Sequence, residues 1–310
     1  MLSQRIQVLS PSLTLAITAL ARDLKAQGKD ILSFSAGEPD FDTPQRVKDA
    51  AIEAIQAGCS KYTAVAGTPE VLKAVAGKLK RENNLDYKPS QIVVNVGAKH
   101  SLFNIFQAII DEGDEVIIPS PYWVTYPEIV KYSGGTPVYI ETDESTGFKI
   151  TPAQLKAAIT PKTKVLLFNT PSNPTGSVYS KAELEGLAEV LKGTKILVVS
   201  DEMYEKILFD NLKFTSVASI SEDMYNRTIT VNGLSKSVAM PGWRFGYLAC
   251  PIKEIVDAIV DLQGQSTSNI NTITQKAALP ALNGLVDEDI EAMRVAFERR
   301  RNMAYELLNN

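Results

Sequence analysis

An α/β fold with a mostly parallel sheet flanked by helices is the architecture this sequence predicts, and three features predict it. Short β-branched runs alternate with longer stretches of helical periodicity, the order that builds strand–helix–strand units. Several runs are apolar on successive rather than alternate residues, Ile196-Leu197-Val198-Val199 most clearly, as in strands covered on both faces. Internal repeats, low-complexity tracts and Ser/Gly linkers are missing, which sets aside solenoids and tethered modules.

In chain order, Leu13 to Ala21 is apolar-leaning and reads as a helix continuing through Arg22, Asp23, Leu24 and Lys25. It mimics a signal peptide, since it follows Arg5 and ends Ala19-Leu20-Ala21, but Pro11, Thr14 and Thr18 interrupt the apolar run. A strand is expected at Ile31 to Phe34, then helices at Val47 to Ala57 and Glu70 to Asn83. The strand Ile92 to Val96 feeds a helix at His100 to Ile110. Strands at Glu115 to Ile118, Val138 to Ile140 and Lys164 to Phe168 precede a helix at Lys181 to Leu191. Strands at Ile196 to Val199, Thr228 to Val231 and Tyr247 to Cys250 complete the set. A final helix, Asp287 to Leu308, offers Ile290, Met293, Phe297, Ala304 and Leu308 for packing.

Composition excludes several classes. Across 310 residues, 32 Lys and Arg against 36 Asp and Glu give a net charge of −4, so nothing marks a nucleic-acid binder. The densest basic run, Arg299-Arg300-Arg301, reads as a solvated helix face. Cys59 and Cys250 lie far apart without a CxxC neighbour, which excludes a zinc cluster or disulfide framework and fits a reducing cytoplasm. The one histidine, His100, would have to carry any Ser-His-Asp, Cys-His or His-metal chemistry alone, and at a helix start it reads as structural. No 18-residue apolar run exists, so no membrane span is expected.

In α/β folds, sites lie at the carboxyl ends of the strands, and four ends carry unusual residues. After Val96 come Gly97, Ala98 and Lys99 at a helix start, where backbone N–H groups and the helix dipole suit an anion; a plain packing turn is the alternative. After Phe168 comes Asn169-Thr170-Pro171-Ser172-Asn173-Pro174-Thr175-Gly176, in which Asn173 offers an amide beside a candidate cis-proline; an ordinary turn is the alternative. After Val199 comes Ser200-Asp201-Glu202, with Tyr204 beyond: either a buried acid that must be paired, or Asp201 capping a helix at Tyr204. After Val231, Asn232-Gly233-Leu234-Ser235-Lys236 places a lysine able to attack a carbonyl, and Arg244 follows with a guanidinium suited to phosphate; each alone reads as a surface charge. Together these ends supply what pyridoxal phosphate needs: an amine for its carbonyl, a carboxylate for its ring nitrogen and a cradle for its phosphate.

These stretches and others make the chain resemble the class I pyridoxal-phosphate aminotransferases, the bacterial aspartate aminotransferases above all. They are AGEPDFDTP at 36–44, KYTAVAGTPE at 61–70, VGAKHSLFN at 96–104, PSPYWVTYPE at 119–128, SNPTG at 172–176, SDEMYEKILFD at 200–210 and NGLSKSVAMPGWRFGY at 232–247, in the family's order. The resemblance implies that Lys236 joins the cofactor covalently and moves protons, that Asp201 keeps the ring nitrogen protonated, and that Tyr204 and Asn173 hydrogen-bond the ring's O3′. It implies that Trp123 packs near the ring and offers its N–H to substrate, and that Gly97, Ala98, Lys99, Ser235 and Arg244 hold the phosphate side. Gly37 is implied beside the substrate carboxylate, and Tyr62 is implied to reach the phosphate of a neighbouring subunit in a homodimer. Lys99, with Thr14 as a weaker candidate, is implied to meet the side-chain carboxylate of an acidic substrate.

The reaction implied is ping-pong transfer of an amino group from an amino acid, aspartate first, to a 2-oxo acid: 2-oxoglutarate, oxaloacetate or prephenate. A lyase or synthase using the same cofactor, and a cofactor-binding protein without turnover, are the alternatives. The implied fold is the large domain of fold type I pyridoxal-phosphate transferases. Residues 1–38 form an N-terminal arm and part of a small domain, 39–284 the cofactor domain, and 285–310 a connecting helix. The family's remaining small domain, with an arginine that clamps the substrate α-carboxylate, has no counterpart before Asn310, so residues 1–310 alone are expected to transaminate poorly. Partners are expected to be small molecules and a second copy, with no nucleic acid and no membrane.

Overall fold

The computed structural model describes residues 1–11, 13–34 and 37–309; the side chains of Leu13, Thr14 and Leu15 also lie outside the described residues, so the expectation for Thr14 is not addressed by it. Two helices, α1 (Gln4–Gln7) and α2 (Leu13–Ala26), precede α3 (Gln45–Gln56) and α4 (Pro69–Asn83). Then come β1 (Ile92–Val96), α5 (Ala98–Ile109), β2 (Glu115–Ser120), α6 (Thr125–Tyr132), β3 (Thr136–Glu141), α7 (Pro152–Ala158), β4 (Thr163–Asn169) and α8 (Lys181–Leu191). The chain continues through β5 (Leu197–Asp201), α9 (Glu222–Arg227), β6 (Thr228–Gly233), β7 (Phe245–Ala249), α10 (Lys253–Gly264), α11 (Thr272–Leu282) and α12 (Asp287–Asn309). Local chemistry sets the boundaries. Thr68 accepts from the Val71 N–H and Pro69 opens α4, while Asn84 ends it in the left-handed conformation. Thr151 with Gln154, and Ser180 with Glu183, close capping boxes on α7 and α8.

The strands form one seven-stranded sheet in the order β1-β7-β6-β5-β4-β2-β3. Only β7 runs against its neighbours, so the sheet is mostly parallel, as the sequence predicts. Successive residues of the apolar runs point to opposite faces: Val199 packs with Leu102 and Phe106 of α5, and Val198 with Leu155 of α7 and Leu187 of α8. That two-sided burial accounts for strands without polar alternation.

The expected strand at Ile31 to Phe34 does not form. The segment joins no strand, and Leu32 and Phe34 are 82% and 94% exposed. A four-residue apolar run is a strand only when a sheet edge accepts its hydrogen bonds, and periodicity over so short a stretch cannot reveal whether one does.

Register brings the functional ends level. Asn169 pairs with Asp201, and Asp201 with Val231, so β4, β5 and β6 finish side by side. Beside them β7 lies tight against the start of α5: a Cβ on Gly246 would fall 2.2 Å from the Ala98 nitrogen, so only glycine permits this approach.

Candidate active site

A cavity of about 560 Å³ opens where β4, β5 and β6 end and α5 begins. Gly37, Ala98, Lys99, Trp123, Asn173, Asp201, Tyr204, Ser235, Lys236 and Arg244 all line it. Ten residues drawn from six stretches of sequence thus converge, as the strand-end reading requires. Gly97 lies just beneath its wall, and Tyr62 stands outside it, 90% exposed.

Asp201 closes β5 and is buried. Tyr126 O–H donates to its Oδ2 at 2.9 Å, and the Met203 N–H donates to its Oδ1 at 3.2 Å. The cap onto Tyr204 is therefore corrected: the carboxylate takes the amide one residue earlier, in a tight turn, because the chain does not enter a helix there. Burial pushes the Asp201 carboxyl up to about 6, although Tyr126 and Met203 pull the other way. Among the described residues no salt bridge pairs it with a cation.

Lys236 sits in the turn after β6 and is half-buried. Its Nζ donates to the Gly37 carbonyl and lies 5.9 Å from the Tyr204 ring centroid. Burial holds its pKa below the ordinary lysine value, against the pull of Glu38. Asn173, beside the cis peptide bond to Pro174, extends Nδ2 to 3.5 Å from the Tyr204 hydroxyl. Its backbone N–H donates to Asn169 Oδ1, and Asn169 Nδ2 donates to the Asp201 carbonyl, locking the two strand ends together.

Where the cavity meets α5, Gly97 enters the helix with φ +81 and no side chain caps it. A Cβ on Gly97 would meet Arg244 Nη2 at 2.4 Å, so the guanidinium lies directly on the helix start. Arg244 is itself left-handed, anchored by Nη1 to the Pro241 carbonyl at 2.7 Å. Lys99 places its ammonium 4.8 Å from the Trp123 ring centroid, and desolvation together with the like charge of Arg244 lowers its pKa. Helix dipole, guanidinium and ammonium make this helix start a receptor for a phosphate-sized anion. A buried carboxyl, an amine and this cradle on one cavity fit pyridoxal phosphate. His100 is structural as expected: the Val96 N–H donates to its Nδ1 at 3.2 Å.

The sequence reading assigned no part to Tyr126, Asn169 or Glu38. Tyr126 is buried and stacks edge-on against Trp123 at 5.4 Å. Tyr126→Phe deletes a donor to a buried carboxylate, so the Asp201 pKa is expected to rise further above about 6. A ¹³C titration of Asp201 in the cofactor-free protein checks this; an unchanged midpoint would show that the hydroxyl is incidental.

A model of aminotransferase classes I and II matches residues 29–310. Aspartate aminotransferase of Bacillus sp. (strain YM-2) is 52% identical over 309 residues, covering 100% of this chain and 78% of that protein. The aspartate/prephenate aminotransferase of Cereibacter sphaeroides is 50% identical over 309 residues, with 99% and 77% covered. The structure of Thermus thermophilus aspartate aminotransferase with maleate superposes with a TM-score of 0.96 at 45% identity, over 100% of this chain and 80% of that one. On this identity across its whole length, and on a mostly parallel sheet whose strand ends meet one cavity, the chain belongs to the class I and II aminotransferase family.

Proposed function

We propose that the protein binds pyridoxal phosphate and transfers the amino group of aspartate to a 2-oxo acid, 2-oxoglutarate first and prephenate as a further acceptor. The observation that carries this reading is the placement of the Lys236 amine, the buried Asp201 and Arg244, packed on Gly97, on one cavity. When bound, pyridoxal phosphate supplies a carbonyl for the incoming amine and an aromatic ring that takes up electron density from the substrate's α-carbon.

The residues divide the work by position. Arg244, Ser235, Lys99 and the N–H groups after Gly97 hold the phosphate. Asp201, ionised, holds a proton on the ring nitrogen. Tyr204 and Asn173 orient the ring oxygen, and Trp123 walls the ring and offers its indole N–H to substrate. Lys236 Nζ, with its lowered pKa, accepts the proton leaving the substrate's α-carbon. Gly37 lies where a substrate carboxylate would sit. In this reading residues 39–284 are the cofactor domain, 1–38 the arm and 285–310 the connecting helix. Exposed Tyr62, Leu32 and Phe34 support a homodimer in which Tyr62 serves the neighbouring site.

Adding pyridoxal phosphate, aspartate and 2-oxoglutarate is expected to yield oxaloacetate and glutamate with ping-pong kinetics, slowly from residues 1–310 alone. Release of carbon dioxide or ammonia instead would mark a lyase, and an absorbance change without product would mark a binding protein. Lys99 carries the preference for dicarboxylates. Lys99→Ala is expected to lower kcat/KM for aspartate by roughly 10- to 100-fold while neutral amino acids lose far less, the value of one ammonium–carboxylate contact. An equal loss for both would confine Lys99 to the phosphate.

A further inference from the structure

The acid next to Asp201 is buried and does not line the cavity. Glu202 is fully buried. Its Oε1 accepts three hydrogen bonds: from Ser200 Oγ at 2.9 Å, Ser216 Oγ at 2.8 Å and the Val217 N–H at 3.1 Å. Among the described residues its Oε2 has no hydrogen-bond partner. Its backbone N–H donates to the Val231 carbonyl at 2.9 Å, carrying the β5–β6 pairing one residue past Asp201. All three donors to Oε1 are buried, so losing the acceptor would strand every one of them.

These contacts lie on both sides of one residue. Ser200 precedes Asp201, Glu202 follows it, and Ser216 and Val217 belong to the segment that returns against the sheet. One turn on, Glu205 is tied to α4 by Lys78 and Asn83, which fixes the far end of the same turn. Asp201 is therefore held as the middle of a three-residue splint, with its carboxyl on the cavity side, where Tyr126 and the Met203 N–H donate to it.

We infer that Glu202 is a positioning residue that fixes the Asp201 carboxyl at the cavity through the single oxygen that gathers Ser200, Ser216 and Val217. The assignment rests on the proposed role of Asp201 at the ring nitrogen. The titratable groups facing Glu202 are Glu205, Tyr87 and Tyr247. Burial and Glu205 push its carboxyl up to about 7, so an uncharged side chain is no stranger to this pocket. The unpartnered Oε2 has a direct consequence: an amide can replace the acid, keep its oxygen on the three donors and put its nitrogen where no existing hydrogen bond is broken.

The test compares Glu202→Gln, Glu202→Ala and Leu155→Ala, the last removing a fully buried side chain from α7, away from the site. Two properties are read beside Tm: amide exchange at Met203, whose N–H donates to Asp201, in the cofactor-free protein, and kcat with the loaded protein. Glu202→Gln is expected to stay within about twofold of the parent in both. Glu202→Ala is expected to speed Met203 exchange and lower kcat, each by roughly 10- to 100-fold, with KM for aspartate little changed. Leu155→Ala is expected to lower Tm while leaving Met203 exchange and kcat near the parent. If Glu202→Ala behaves like Leu155→Ala, or Glu202→Gln fails like Glu202→Ala, the inference is overturned. Should the parent protein show no transamination, the proposed function fails, and Met203 exchange still decides whether Glu202 holds Asp201.

Discussion

Lys236→Ala is expected to lower kcat by roughly 10⁴-fold or more while leaving the fold intact. The magnitude follows from losing two services at once, covalent attachment and proton transfer at the substrate α-carbon, the second alone being worth about 10²–10⁴. The fold survives because Lys236 is half-buried in a turn and, among the described residues, its ammonium donates one hydrogen bond, to the Gly37 carbonyl. The parent amine is suited to the work: burial favours its neutral form, and only Glu38 opposes that. Single-turnover measurement with aspartate, alongside the visible spectrum of the protein mixed with pyridoxal phosphate, reads both losses. A Lys236→Ala protein with near-parent turnover would remove the central assignment, and every role built around that amine would need another owner.

Strand β1 is legible to the residue because Gly97 stops it abruptly and its apolar run has no competing period. Strands β4, β5 and β6 are legible for the same reason, and finding them directs attention to Asn173, Asp201 and Lys236 at their ends. Ile31 to Phe34 looks no different locally, yet no sheet edge receives it, and composition does not encode the presence of a partner strand. Tyr126 illustrates the same limit within the site. It meets Asp201 across 75 residues of sequence, and its own neighbourhood reads as an ordinary amphipathic helix start. The sequence marks Asp201 as a buried acid at a strand end but assigns nothing to Glu202, because which of the two acids faces the cavity depends on the pleat of β5. Local signals located the ends of the elements; long-range pairing chose which side chains meet there.

Asp201→Ala and Asp201→Asn separate the charge of that residue from its place in the turn. Folding raises the Asp201 pKa from 3.8 to about 6, so its protonated form is the one the empty fold favours. The sign follows from linkage: stability is highest below the unfolded-state value and is lost as pH rises from about 4 to 6, by about 3 kcal/mol in all. Asp201→Asn keeps an oxygen for the Met203 N–H, presents its Nδ2 as a donor to the Tyr126 hydroxyl oxygen, and cannot ionise, so the cofactor-free variant is expected to lack this loss in a urea titration across that window. In the proposed function, a protonated ring nitrogen would offset the free-energy cost of holding this buried carboxylate. Breaking such a buried pair costs about 3–5 kcal/mol, which corresponds to roughly 10²–10⁴ in kcat if the charge acts where electron density develops. Both variants are accordingly expected to be slow to that extent, with Asn rescuing Tm but not rate. Binding of pyridoxal phosphate should weaken far less, because the Gly97–Arg244 cradle is untouched. If Asp201→Asn turns over nearly as fast as the parent, the carboxylate is only a turn residue. If either variant loses mainly phosphate affinity, the orientation of the cofactor in the cavity is the reverse of the one proposed.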